Sequence, residues 1–148
     1  MKVYYKFSLF LVLILVCNAC ATFKKQVAPD TEKQFPTNKV IAHSFYLLGD
    51  AGKTPLNSES QTIKAFKKEL TKASKNSTAI FLGDNIYEKG MPAKTDANRA
   101  FSEYQLNTQT DAVKDFRGQT IFIPGNHDWY SGIKGLKNQE KYIEDILG

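Results

Sequence analysis

Three short strings in this sequence end apolar runs with residues able to do chemistry: Gly49-Asp50, Gly83-Asp84 and Gly125-Asn126-His127-Asp128. Glycine ahead of each polar residue lets the backbone turn sharply and leaves room for a bound ion or phosphate. Carboxylate, amide oxygen and imidazole together suit hard or borderline metal ions rather than a soft thiolate site. Two such ions about 3.5–4 Å apart, sharing a carboxylate, can clamp a phosphoryl group and deliver a hydroxide. The candidates are Asp50, Asp84, Asn126 and His127, with Tyr87 and Asp128 close by in sequence. A single Gly-Asp is as often a plain strand-ending turn, whereas Gly-Asn-His-Asp after an apolar strand is far more specific.

Those residues need a frame, and the pattern supplies one. Val40 to Leu48 (VIAHSFYLL), Thr78 to Leu82 (TAIFL) and Thr120 to Ile123 (TIFI) read as strands. Between the first two, Asn57 or Ser58 is expected to cap a helix carrying Ile63, Phe66, Leu70 and Ala73 at helical spacing. A second helical region is expected over about Thr95 to Phe116, broken near Asn107, with Phe101, Tyr104, Val113 and Phe116 as its apolar residues. A last amphipathic stretch carries Leu136, Tyr142, Ile143, Ile146 and Leu147. Alternating strands and helices predict an α/β fold with parallel strands joined by right-handed crossovers. Continuously apolar strands predict burial on both sheet faces. Ligands in such sheets collect at the carboxyl ends of the strands, where all three strings fall.

In order and spacing the strings resemble the calcineurin-like metallophosphoesterases, and within them the purple acid phosphatase branch, whose pattern is GDxG, GDxxY, GNH[DE], then VxxH and GHxH. The first three read here as Gly49-Asp50-Ala51-Gly52, Gly83-Asp84-Asn85-Ile86-Tyr87 and Gly125-Asn126-His127-Asp128, over about residues 40 to 148. The resemblance implies half of an αββα sandwich and a metal-dependent phosphoester hydrolase. It implies Asp50 as ligand to a first metal, Asp84 as bridge, Tyr87 as phenolate ligand to the first metal and Asn126 as ligand to the second. His127 would contact the phosphate and protonate the leaving oxygen, and Asp128 would orient His127 or cap a helix. A phenolate ligand implies Fe paired with Zn, Mn or Fe, and a phosphoester substrate.

The departure from the pattern is the histidine count. Only His43 and His127 occur, so VxxH and GHxH are both missing. The expectation is that residues 40–148 are the N-terminal part of the domain, truncated, inactive alone and in want of a C-terminal half as partner. The alternative is a lipid-anchored, non-catalytic binding or scaffold module that keeps the fold. His43, inside the first run, reads as a core or edge histidine rather than a ligand.

The amino terminus carries a separate message. Met1 to Lys6 is basic and Phe7 to Val16 is apolar, too short for a spanning helix and suited to a secretory signal. With Cys17-Asn18-Ala19-Cys20 following, residues 1–19 resemble a bacterial lipoprotein signal with Cys20 lipid-bearing, and 20–39 read as a flexible tether. The implied place is the bacterial cell envelope, on the outer membrane or periplasmic face, or alternatively secretion.

Composition narrows the remaining classes. Of 148 residues, 42% are hydrophobic and 24% charged, so disorder throughout is excluded. The net charge of +5 falls to +3 once Lys2 and Lys6 leave with the leader, and the bases are interspersed with acids. No clustered basic face follows, and no nucleic-acid binding is expected. Gly49 to Thr54 is not a P-loop, because Leu47 stands where that motif needs glycine.

Overall fold

The computed structural model describes residues 40–58 and 60–148. The expected signal, the lipid-bearing Cys20 and the tether lie outside these residues. Strands β1 (Ser44–Leu48), β2 (Ser77–Phe81) and β3 (Gln119–Phe122) form one parallel sheet in the order β1-β2-β3. Helices α1 (Gln61–Leu70) and α2 (Arg99–Val113) make the two crossovers, and a short α3 (Asn126–Trp129) and α4 (Gly132–Leu147) follow β3. The predicted mixed α/β, parallel arrangement is therefore present.

Local chemistry moves several boundaries. Helix α1 starts later than expected: Ser60, not Asn57 or Ser58, is the N-cap, its Oγ accepting the Ile63 N–H at 3.4 Å. Asn57 instead takes a left-handed turn at φ 59°, which an asparagine tolerates. Helix α2 runs unbroken through Asn107, its inward stripe polar in part, with Gln105 and Gln109 each bonded to the loop after β2. Ser102, Gln105 and Gln109 are buried on it beside Leu106, Ala112 and Val113. Phe101, expected as an apolar packing residue there, is largely exposed.

The strand register aligns Leu47, Ile80 and Ile121 in one row and Leu48, Phe81 and Phe122 in roughly the next. Alternation then separates two faces. Tyr46, Leu48, Ala79, Phe81 and Phe122 point toward α1, α2 and α4 and build the core with Ile63, Phe66, Leu70, Ala112 and Val113. Phe81 and Phe122 stack at 4.3 Å between centroids. The other face holds Phe45, Leu47, Leu82, Ile121 and Ile123, all exposed. Burial on both faces was the expectation; among the described residues all the helices that pack on the sheet share one side, so the second face is open. No helix among them is long and apolar enough to cross a membrane.

Candidate metal centre

The three strand ends meet through their own backbones before any side chain is counted. The Asp50 N–H donates to the Gly83 carbonyl at 3.2 Å and the Gly52 N–H to the Asp84 carbonyl at 2.9 Å, tying the first loop to the second. A Cβ on Gly52 would run into the Asn85 backbone, and one on Gly125 into the backbone and carboxylate of Asp84. Both positions thus require glycine for contact between loops. Asp50 and Asp84 themselves lie in the left-handed region, at φ 54° and 53°. Non-glycine residues enter that region rarely, and when they do it is commonly at a functional turn.

This backbone brings three oxygens from three residues together. The Tyr87 hydroxyl donates to Asp50 Oδ1 at 2.6 Å and lies 3.0 Å from Asp84 Oδ2. Burial first, then its contacts with the two carboxylates, hold the Tyr87 phenol above the usual tyrosine range. The other oxygen of Asp84, Oδ1, accepts the backbone N–H of His127 at 3.0 Å, which fixes the carboxylate from the side of the third loop.

His127 sits beside this cluster, its ring 4.3 Å from that of Tyr87 between centroids. Its Nδ1 is 2.7 Å from the Glu88 carbonyl oxygen. A carbonyl only accepts, so Nδ1 carries a proton and Nε2 is the nitrogen free to exchange one. Asn126 is less engaged: its amide Nδ2 donates to the Tyr130 hydroxyl at 3.1 Å, and no hydrogen bond links it to Asp50, Asp84 or Tyr87.

Asp128 occupies a different position from the one expected for orienting His127. It is fully buried, and its oxygens accept the N–H groups of Asn85 at 3.1 Å, Ile86 at 3.0 Å and Gly125 at 2.8 Å. Burial raises its carboxyl above the ordinary aspartate range, against the pull of those N–H groups. Asp128 therefore holds the second loop to the third and caps α3, while the Glu88 carbonyl orients the imidazole.

Sequence reasoning missed the layer beneath. Gln105 Oε1 accepts the Tyr87 N–H at 3.1 Å, and Gln109 Nε2 donates to the Asn85 carbonyl at 2.7 Å. Two amides four apart on a helix whose apolar face looked weak were the available signal. An open groove of about 840 Å³ leads away from Tyr87 and His127 past Lys53, Lys89 and Phe101. His43 lies just before β1, at the end of the sheet opposite Asp50, its Nε2 2.9 Å from Thr78 Oγ1. That is the edge position expected of it.

A family model, calcineurin-like phosphoesterase, matches residues 43–147. The chain belongs to that family. The chemistry of the calcineurin-like phosphoesterases is metal-dependent phosphoester hydrolysis, and members typically bind two metal ions. No curated protein and no solved structure matches it. Among the described residues no group of three or more His, Cys, Asp and Glu side chains is poised around one ion. The convergent donors are instead two carboxylates and a phenol, with an amide on the adjoining loop. That set of hard oxygen donors fits a hard or borderline ion.

Proposed function

We propose that residues 40–148 supply one side of a dinuclear phosphoester hydrolase of the purple acid phosphatase type. The observation that carries this reading is the meeting of Asp50, Asp84 and Tyr87 oxygens within 3.0 Å at the carboxyl ends of two neighbouring strands. Asp50 and Tyr87 would hold one ion, Asp84 would bridge, and Asn126 would turn its amide oxygen to the second. The phenol points to iron in the first position, with zinc, manganese or iron in the second. When bound, such a pair supplies Lewis acidity and a nucleophile at neutral pH. The protein's own contribution is steric and protic. Gly52 and Gly125 keep the loops close, Asp128 locks them, and His127 offers the Nε2 proton of its imidazolium to the departing alcohol oxygen.

The donor count argues for further polypeptide. Four residues serve two ions, His127 is assigned to the leaving group, and His43 is at the far end of β1. The remaining ligands, nitrogen donors by the family pattern, come from a C-terminal half of the domain, and these residues alone turn over little or no substrate. We further propose that the chain is exported and held at the cell envelope through a lipid on Cys20, on the strength of the Phe7 to Val16 run and the residues that follow it.

Metal analysis tests the central reading. Loading with iron(III) should give visible absorbance from phenolate-to-iron charge transfer, absent in Tyr87→Phe, and Asp84→Asn should lose bound metal altogether. A wild-type domain completed by its C-terminal half that still retains no metal would support the scaffold alternative instead.

A further inference from the structure

Ser131 stands at the N-cap of α4, where a serine ordinarily spends its hydroxyl on the first turn of its own helix. This one makes no side-chain bond to α4 and donates instead to the carbonyl of Lys89, 42 positions back along the chain. Lys89 directly follows Glu88, whose carbonyl takes the Nδ1 proton of His127. The hydroxyl is thus placed one peptide unit from the group that sets the imidazole.

Glu88 lies in an exposed loop, where water competes for any carbonyl. Upstream the backbone is pinned twice, the Ile86 N–H on Asp128 Oδ1 at 3.0 Å and the Tyr87 N–H on Gln105 Oε1 at 3.1 Å. Downstream, Gly90 lies so close to the Asp128 backbone that an added Cβ would overlap its carbonyl oxygen. Between these anchors Ser131 holds the Lys89 peptide, and the Glu88 carbonyl meets His127 Nδ1 at 2.7 Å. Residues Tyr87 to Gly90, His127 and Ser131 all line the groove that leads from the site.

We infer that Ser131 is a positioning residue for His127: by tying down Lys89 it aims the Glu88 carbonyl, which keeps the imidazole as the Nδ1–H tautomer with Nε2 free for the leaving oxygen. Each ring nitrogen takes its role from the bond the other makes. An imidazolium held this way passes its Nε2 proton to the departing oxygen and is left neutral in the tautomer already fixed, with no turn of the ring. The inference deepens the leaving-group role given to His127 and rests on that reading for its catalytic meaning. The tautomer itself is read in metal-free protein, so a missing metal pair would sink the hydrolase and leave this result standing.

Long-range proton–nitrogen NMR spectra of the full chain, labelled at histidine, untagged and stripped of metal in mild detergent, test it. His43 and His127 are its only imidazoles, and His43→Gln tells them apart. At about pH 9, well above the ordinary histidine pKa of about 6.5, His127 should be the Nδ1–H form. Ser131→Ala should raise its Nε2–H share about fivefold, the effect of losing one ordinary hydrogen bond. Ser131→Thr, which keeps a hydroxyl, should hold the wild-type ratio. Ser60→Ala removes a hydroxyl that does cap its helix, and should lower the melting temperature while leaving the tautomer alone. A wild-type His127 found mainly as Nε2–H overturns the proposal, and so does a ratio unmoved by Ser131→Ala. A Ser131→Thr protein that shifts as far as Ser131→Ala overturns it too, since the hydroxyl would then be beside the point. An equal shift in Ser60→Ala assigns the effect to general loosening and overturns it as well.

Discussion

The carboxylate of Asp128 accepts the backbone N–H of Asn85 at 3.1 Å, across 43 positions of chain. With its bonds to Ile86 and Gly125, this one buried side chain closes the second strand-end loop onto the third. Removing it strands several buried donors at once. Asp128→Ala is expected to cost about 3 kcal/mol or more of stability, since each unsatisfied buried donor costs about 1–3 kcal/mol. Asp128→Asn keeps an acceptor oxygen and should lose markedly less. Urea denaturation followed by circular dichroism checks both.

Gly125 makes a sharper separation between fold and site. Its missing side chain is the space that Asp84 fills. Gly125→Ala should displace the Asp84 carboxylate and weaken metal binding at least tenfold. The sheet is several residues away and should survive. Equilibrium dialysis against zinc, beside a thermal melt, distinguishes the two effects.

His127 predicts a leaving-group dependence. On the enzyme assembled with its remaining ligands, His127→Gln should lower kcat by about 10²–10⁴ for alkyl phosphates, the range for loss of a general acid. For nitrophenyl phosphate, whose alcohol departs without a proton, the loss should be much smaller. Metal content should be unchanged. Equal losses on both substrates would assign His127 to binding instead.

Much of this frame was legible in the sequence because apolar runs and glycine-led strings carry local signals. The strands, their parallel order and the Gly-Asp termini follow from periodicity and turn chemistry. The rest depends on contacts that sequence does not display. Ser60 is the cap of α1 rather than Asn57 because Asn57 is spent on a left-handed turn. Helix α2 continues through Asn107, and its Gln105 and Gln109 find partners 18 and 24 residues away. Asp128 serves backbone N–H groups rather than its neighbour's imidazole, a choice settled by burial. Apolar strands announce that both faces avoid water, yet they do not say what covers the second one.

Tyr142 gives a pH signature away from the site. Burial raises its phenol above the usual tyrosine range, and the hydroxyl donates to Asn107 Oδ1 at 3.0 Å. A group raised in the folded state contributes stability that is complete below its unfolded pKa and is lost as pH climbs through the folded one. The urea midpoint should therefore fall between about pH 10 and higher values, the ordinary tyrosine pKa being about 10. Tyr142→Phe should flatten that part of the profile.

The backbone at Asp50 and Asp84 bears on the choice between a working hydrolase and an inert module. Each aspartate sits where glycine would rest more comfortably, at a conformational penalty of about 1 kcal/mol or more. Were folding the sole demand, Asp50→Gly or Asp84→Gly would yield a hardier protein with no functional loss. Two acids kept at uncomfortable turns are what a metal-holding role for Asp50 and Asp84 predicts, and what an inert module would have no reason to keep.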